Sequence, residues 1–246
     1  MPETPQYGLA RSLTLHLLPG AITTIIYVAL VPAVIRAGFP PLFALLVATS
    51  IGFVPIELGH LFLMGKRLTG RWSLQGVILY NQHNTWRRYA WLVPATVVLS
   101  IGAYVLAAPL DQVWGRTLFS WLPPWYTYSD ISNYTRFSRP VLLIMFSFRL
   151  LLDGFIAPVT EELYFRGYLL PRISRFRWGA PLLNCFLFAI YHFWQPYNIP
   201  SIFFLCLPMV IAVWKTRDVR ISVFVHMALN LIGAIAAMIA IFRVAR

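Results

Sequence analysis

Apolar residues occupy this chain in long unbroken blocks, with neither the strict alternation of strands nor the narrow stripe of surface helices. Blocks lie near residues 13–36, 41–64, 89–109, 140–171, 180–195, 199–216 and 220–242. A helix crosses a bilayer with roughly 20 such residues, so the pattern predicts an all-α polytopic membrane bundle of about seven to eight membrane helices. The block at 140–171 would run about 48 Å as one straight helix, against a hydrocarbon core of about 30 Å. It must tilt, break or emerge, and Gly154 and Pro158 supply the expected break. The stretch 68–80 reads as a helix lying in the membrane interface.

Composition supports this picture. The 246 residues are 59% hydrophobic and 11% charged, with mean hydropathy +0.69, values outside the range of soluble domains. One membrane domain, 1–246, is expected, with its motif-bearing core at about 140–242. The N-terminal stretch lacks the basic, apolar and small-residue succession of a secretion signal, so no removed leader is expected.

The net charge of +12 does not indicate nucleic acid, because the cations cluster at the ends of apolar blocks, where they set topology and meet anionic headgroups. Membrane lipids are the expected partner. With seven spans, Lys66, Arg67, Arg71, Arg87 and Arg88 fall on one side with Arg172, Arg175, Arg177, Lys215, Arg217 and Arg220. That side and the N-terminus are expected to be cytoplasmic. Arg116, Arg136, Arg139, Arg243 and Arg246 fall opposite. The long loop there, "SWLPPWYTYSDISNYTRF", reads as an interfacial aromatic belt, with a substrate-contacting cap as the alternative. Cys185 and Cys206 sit inside apolar blocks as core residues and form no CxxC site.

Charge inside these blocks is therefore the informative feature. An ionised side chain at mid-bilayer costs roughly 2.5–3.5 kcal/mol, so such residues face a protein interior or a water cavity. In "VTEELYFRGYLL", Glu162 and Arg166 are four apart and pair on one helical face, while Glu161 is rotated by about 100°. "FAIYHFW" places Phe188 one turn before His192, and "FVHMALN" places His226 and Asn230 on one face. Measured from the arginine-rich ends at about 1.5 Å per residue, Glu161, His192 and Asn230 lie roughly 16, 18 and 15 Å deep. Three helices thus bring polar groups to similar depth, as a shared cavity requires.

Burial raises a carboxylate's proton affinity and a nearby cation lowers it, which makes Glu161 a candidate general base toward water. Asn230, with His226, could donate to a developing oxyanion, and His192 could orient the water or protonate a leaving amine. No serine or cysteine has an evident base partner. Two histidines and a glutamate also make a zinc set, although HExxH is absent. A transporter, immunity factor or scaffold is the non-catalytic alternative. Glu57 with His60, and Arg149 with Asp153, are read as structural groups or as supports of the site.

"EELYFR", "FAIYH" and "HMALN" resemble the motifs EExxxR, FxxxH and HxxxN of the CAAX protease and bacteriocin-processing family of intramembrane endopeptidases. The resemblance spans about 140–240, and the first half of the chain carries no matching motif. It implies a helical membrane core and a glutamate-activated water, with Glu161 as base, His192 catalytic, and His226 with Asn230 as the oxyanion site. Glu162, Arg166 and Phe188 would support them, and no cofactor would be needed, zinc being the alternative. Eukaryotic members cleave prenylated CAAX tails; bacterial members act on varied substrates. A membrane-anchored or lipid-modified peptide or protein is thus the expected substrate, and the cell membrane, as a bacterial inner membrane, the expected location.

Overall fold

A computed structural model describes residues 5–127 and 134–244. The helices are α1 (Leu9–Arg36), α2 (Pro41–Ile51), α3 (Phe53–Thr69), α4 (Trp86–Leu118), α5 (Arg139–Leu151), α6 (Ala157–Glu161), α7 (Gly179–Tyr191), α8 (Ile199–Thr216) and α9 (Val219–Val244). They form a helical bundle, and no strand occurs among the described residues beyond an isolated bridge between Asn81 and Asp218. Helices α2 and α3 act as one span bent at Gly52, and α5, α6 and the turns around them make one continuous segment, Arg139–Phe176. Among the described residues, six helical segments are then long and apolar enough to cross a membrane, while Gly179–Tyr191 is shorter. The chain is a multi-pass membrane protein.

Local chemistry sets the helix ends. Pro41 opens α2, where its missing N–H is no loss, and Gly70 closes α3 in the left-handed region at φ 73°. Helix α4 packs along α8, and α1 along α2 and α7. A side chain at Gly20 would collide with the Tyr191 carbonyl, so glycine there lets α1 approach α7.

The segment Arg139–Phe176 does not break at Gly154 and Pro158. It widens instead, into π-helical turns at Leu152–Ile156 and Glu162–Leu169. In the first, Ala157 N–H reaches back to Leu152 O. Pro158 has no N–H, so the Asp153 carbonyl is left for a partner outside the helix. In the second, Leu170 N–H bonds Phe165 O, and Gly167 O takes a donor from outside the helix. Leu79 N–H occupies that carbonyl at 3.0 Å.

Residues 68–80 do not form an interfacial helix after α3 ends at Thr69: they follow an irregular, turning path against the bundle, with Val77 and Ile78 buried. The segment is fastened to the α8–α9 junction, where Val219 N–H bonds Tyr80 O and Gln82 N–H bonds Arg217 O. The N-terminus is tied to the same end through Tyr7 N–H to Arg172 O at 2.7 Å. The basic residues around Arg11, Lys66, Arg172 and Arg217 therefore share one end of the bundle, as the seven-block arrangement predicts.

At the other end, the Trp/Tyr-rich loop is not simply a belt. Tyr126 is buried and its hydroxyl donates to Phe193 O at 2.8 Å, so the described part of the loop folds over the turn after α7. Residues 128–133 of that loop, and Arg246, lie outside the described residues.

Candidate functional site

The polar groups predicted from the three motifs meet around one cavity of about 530 Å³. Glu161, at the end of α6, His192, just past α7, and His226 and Asn230, on α9, all line it. Glu162 and Arg166 lie behind the wall, both fully buried. Arg166 Nη1 is 3.2 Å from Glu162 Oε1, and its guanidinium stacks 3.9 Å from the centre of the Phe188 ring. Phe188 also meets the edges of His192 and His226, with ring centres at 4.8 and 6.1 Å. One aromatic ring thus spaces the arginine from both histidines.

Hydrogen bonds fix the orientation of each group. His192 Nδ1 lies 2.8 Å from Phe188 O, and since a carbonyl only accepts, Nδ1 carries the proton and Nε2 of the neutral ring is free to accept. His226 Nδ1 is 2.9 Å from Glu162 Oε1, and its Nε2 is 3.8 Å from Glu161 Oε2. His226 therefore bridges the two adjacent glutamates, one bonded and one merely near. Arg166 balances the charge of Glu162, which leaves Glu161 as the carboxylate without a cation of its own facing the cavity.

Asn230 Nδ2 donates to the Asp153 carbonyl at 2.9 Å, the group that Pro158 leaves without a helical donor. Its second N–H remains for the cavity, because a carboxamide nitrogen has two donors. Gly154 permits the approach: a side chain there would lie 2.6 Å from Leu231 Cδ2 on α9.

Several contributors were not evident from the motifs. Arg149 and Asp153 line the cavity, as do Leu42, Leu45 and Phe53 from the first half of the chain. Phe53 and Trp194 stack at 6.0 Å and wall the approach to His192. Glu57 is fully buried beside the Tyr191 hydroxyl, with no well-formed hydrogen bond to either oxygen. Its helical neighbour in the pattern, His60, goes elsewhere and meets the Tyr168 hydroxyl at 3.0 Å. Cys185 and Cys206 are buried. No three His, Cys, Asp or Glu side chains converge as a metal-holding group among the described residues.

Fold and site define a polytopic membrane protein with a polar, carboxylate-and-histidine chamber inside the bundle. Residues 143–232 match the model of the Rce1-like family, described as type II CAAX prenyl endopeptidase Rce1-like. The resemblance carried by the three motifs thus holds over the stretch that contains all of them, and the family is one of peptidases. Residues 1–142 lie outside the match. No curated protein and no solved structure matches the chain.

Proposed function

We propose that the protein is an intramembrane endopeptidase that hydrolyses a peptide bond with a water activated by Glu161. The observation that carries this reading is the convergence of Glu161, His192, His226 and Asn230 on one cavity, with the Glu162–Arg166 pair sealed behind it. In the proposed reaction Glu161 takes a proton from a water held by His192 Nε2, and the resulting hydroxide attacks the carbonyl carbon. The free N–H of Asn230, beside the His226 ring, meets the developing oxyanion. The proton held by Glu161 then passes to the leaving amine, which restores the carboxylate.

Apolar walls and a position inside the bundle suit a substrate held at the membrane, a lipid-modified or membrane-anchored peptide or protein. The concentration of arginine and lysine at one end supports a cytoplasmic assignment for that end, and a bacterial inner membrane is the proposed setting. The test is cleavage of a pool of N-acylated peptides by purified wild-type and Glu161→Gln protein, with and without metal removal. Cleavage that survives metal removal and is lost in Glu161→Gln supports the reading; cleavage lost on metal removal and restored by zinc overturns it, as does full activity in the variant.

A further inference from the structure

We propose that Arg149 forms an anion subsite of the cavity that takes the C-terminal carboxylate of a bound peptide. The inference rests on the peptidase reading of the same cavity. Arg149, Asp153, Ala157 and Glu161 recur every four residues and all line that cavity, so the arginine and the proposed base share one face of the same continuous segment. The Arg149 guanidinium donates through Nε to Asp153 Oδ2 at 3.3 Å and lies 5.9 Å from the centre of the Phe146 ring. Among the described residues its Nη1 and Nη2 have no hydrogen-bond partner, and a fifth of its side-chain surface remains open (20%).

A partly open ion pair of this i,i+4 kind contributes little to stability, whereas an arginine within a membrane span is costly to insert. Stability therefore does not account for Arg149. The free edge is a planar fork of donors, the geometry that binds a carboxylate or phosphate through two parallel bonds. Asp153 neutralises the arginine while the subsite is empty. The same residue is anchored through its carbonyl to Asn230, so the fork is held in fixed relation to the proposed oxyanion donor.

Distance favours a peptide terminus as the anion. Asp153, which holds the guanidinium, precedes Glu161 by two helical turns, a rise of about 12 Å. Extended peptide covers about 3.3–3.6 Å per residue, so about three to four residues reach from the attacked bond to the fork. A phospholipid phosphate shares the chemistry and is separated from the peptide by the experiment.

The test measures binding, which does not depend on turnover. Glu161→Gln protein in detergent, followed by the change in tryptophan fluorescence on binding, with a Trp194→Phe control because Trp194 lies in the cavity wall, is titrated with an N-acylated octapeptide pool ending in a free carboxylate or in an amide. Charge-assisted hydrogen bonds of this kind lead us to expect the acid to bind about tenfold or more tighter. That preference should disappear in Glu161→Gln/Arg149→Gln, return in part with Arg149→Lys, and leave helicity and melting temperature unchanged. Equal binding of acid and amide, no saturable binding, or a preference that survives Arg149→Gln overturns the proposal. Competition by glycerophosphoglycerol without discrimination between acid and amide also overturns it, and assigns the fork to a lipid phosphate. If wild-type and Glu161→Gln cleave the pool equally while the acid preference tracks Arg149, the glutamate mechanism fails and the subsite stands.

Discussion

Removing the Arg166 guanidinium while keeping its aliphatic bulk, by Arg166→Met, tests how the charges are arranged. Arg166 and Glu162 are both fully buried, with Nη1 and Oε1 at 3.2 Å. The methionine would leave the Glu162 carboxylate without a guanidinium, with His226 Nδ1 at 2.9 Å and the Ser222 hydroxyl as its neighbours. Breaking a buried pair on one side costs about 3–5 kcal/mol, chiefly from the stranded charge. Loss of the guanidinium over Phe188, at 3.9 Å, removes a cation–π contact of about 2 kcal/mol when desolvated, which puts the variant near the upper end of that range. Unfolding by a sodium dodecyl sulfate titration in mixed micelles, read by helicity and tryptophan fluorescence, measures the difference. In Arg166→Met/Glu162→Gln no charge is stranded, and more than half of the lost stability should return. A single variant within about 1 kcal/mol of wild type, or a double variant no more stable than the single one, would refute the view that Arg166 exists to neutralise Glu162.

Three other outcomes are expected. Pro158→Ala restores a backbone donor that can reach Asp153 O, so Asn230 should lose its anchor and cleavage should fall at least about tenfold with helicity intact; unchanged turnover would show that the carbonyl is not what positions Asn230. Phe188→Leu removes the ring under Arg166 and should lower stability by about 1–2 kcal/mol, measured in the same detergent titration. Burial pushes the Asp218 carboxyl up, but hydrogen bonds from Arg220, Tyr89 and Asn84 hold it below its ordinary value. Its contribution is therefore complete above about pH 3.9 and is lost as pH falls through the lower folded value. Hydrogen exchange of residues 78–84 should quicken over that acid range in the wild type, and Asp218→Asn should remove the dependence.

What the sequence determined by itself follows from solvent and period. Long apolar blocks oblige the backbone to satisfy its own hydrogen bonds in helices, and charges inside them must share an interior. The i,i+4 rule alone paired Glu162 with Arg166 and set Glu161 apart, because neighbouring residues on a helix point about 100° from each other. Equal depths on three helices anticipated that Glu161, His192 and Asn230 would lie around one cavity, although depth says nothing of which atoms meet.

Only the tertiary structure decided the rest. The block at 180–195 looks like a span, yet α7 ends at Tyr191 and His192 begins a turn held by Phe188 O and covered by Tyr126; hydropathy cannot distinguish an apolar helix from an apolar turn packed under a loop. The widening at Pro158 was legible as a disturbance, but its consequence depends on Asn230, 77 residues away in the chain. The bridging of Glu161 and Glu162 by His226, and the shared cavity of Arg149 and Glu161, likewise depend on how α9 and the Arg139–Phe176 segment pack. Side-chain period fixes which face a residue occupies, and only packing fixes what that face meets.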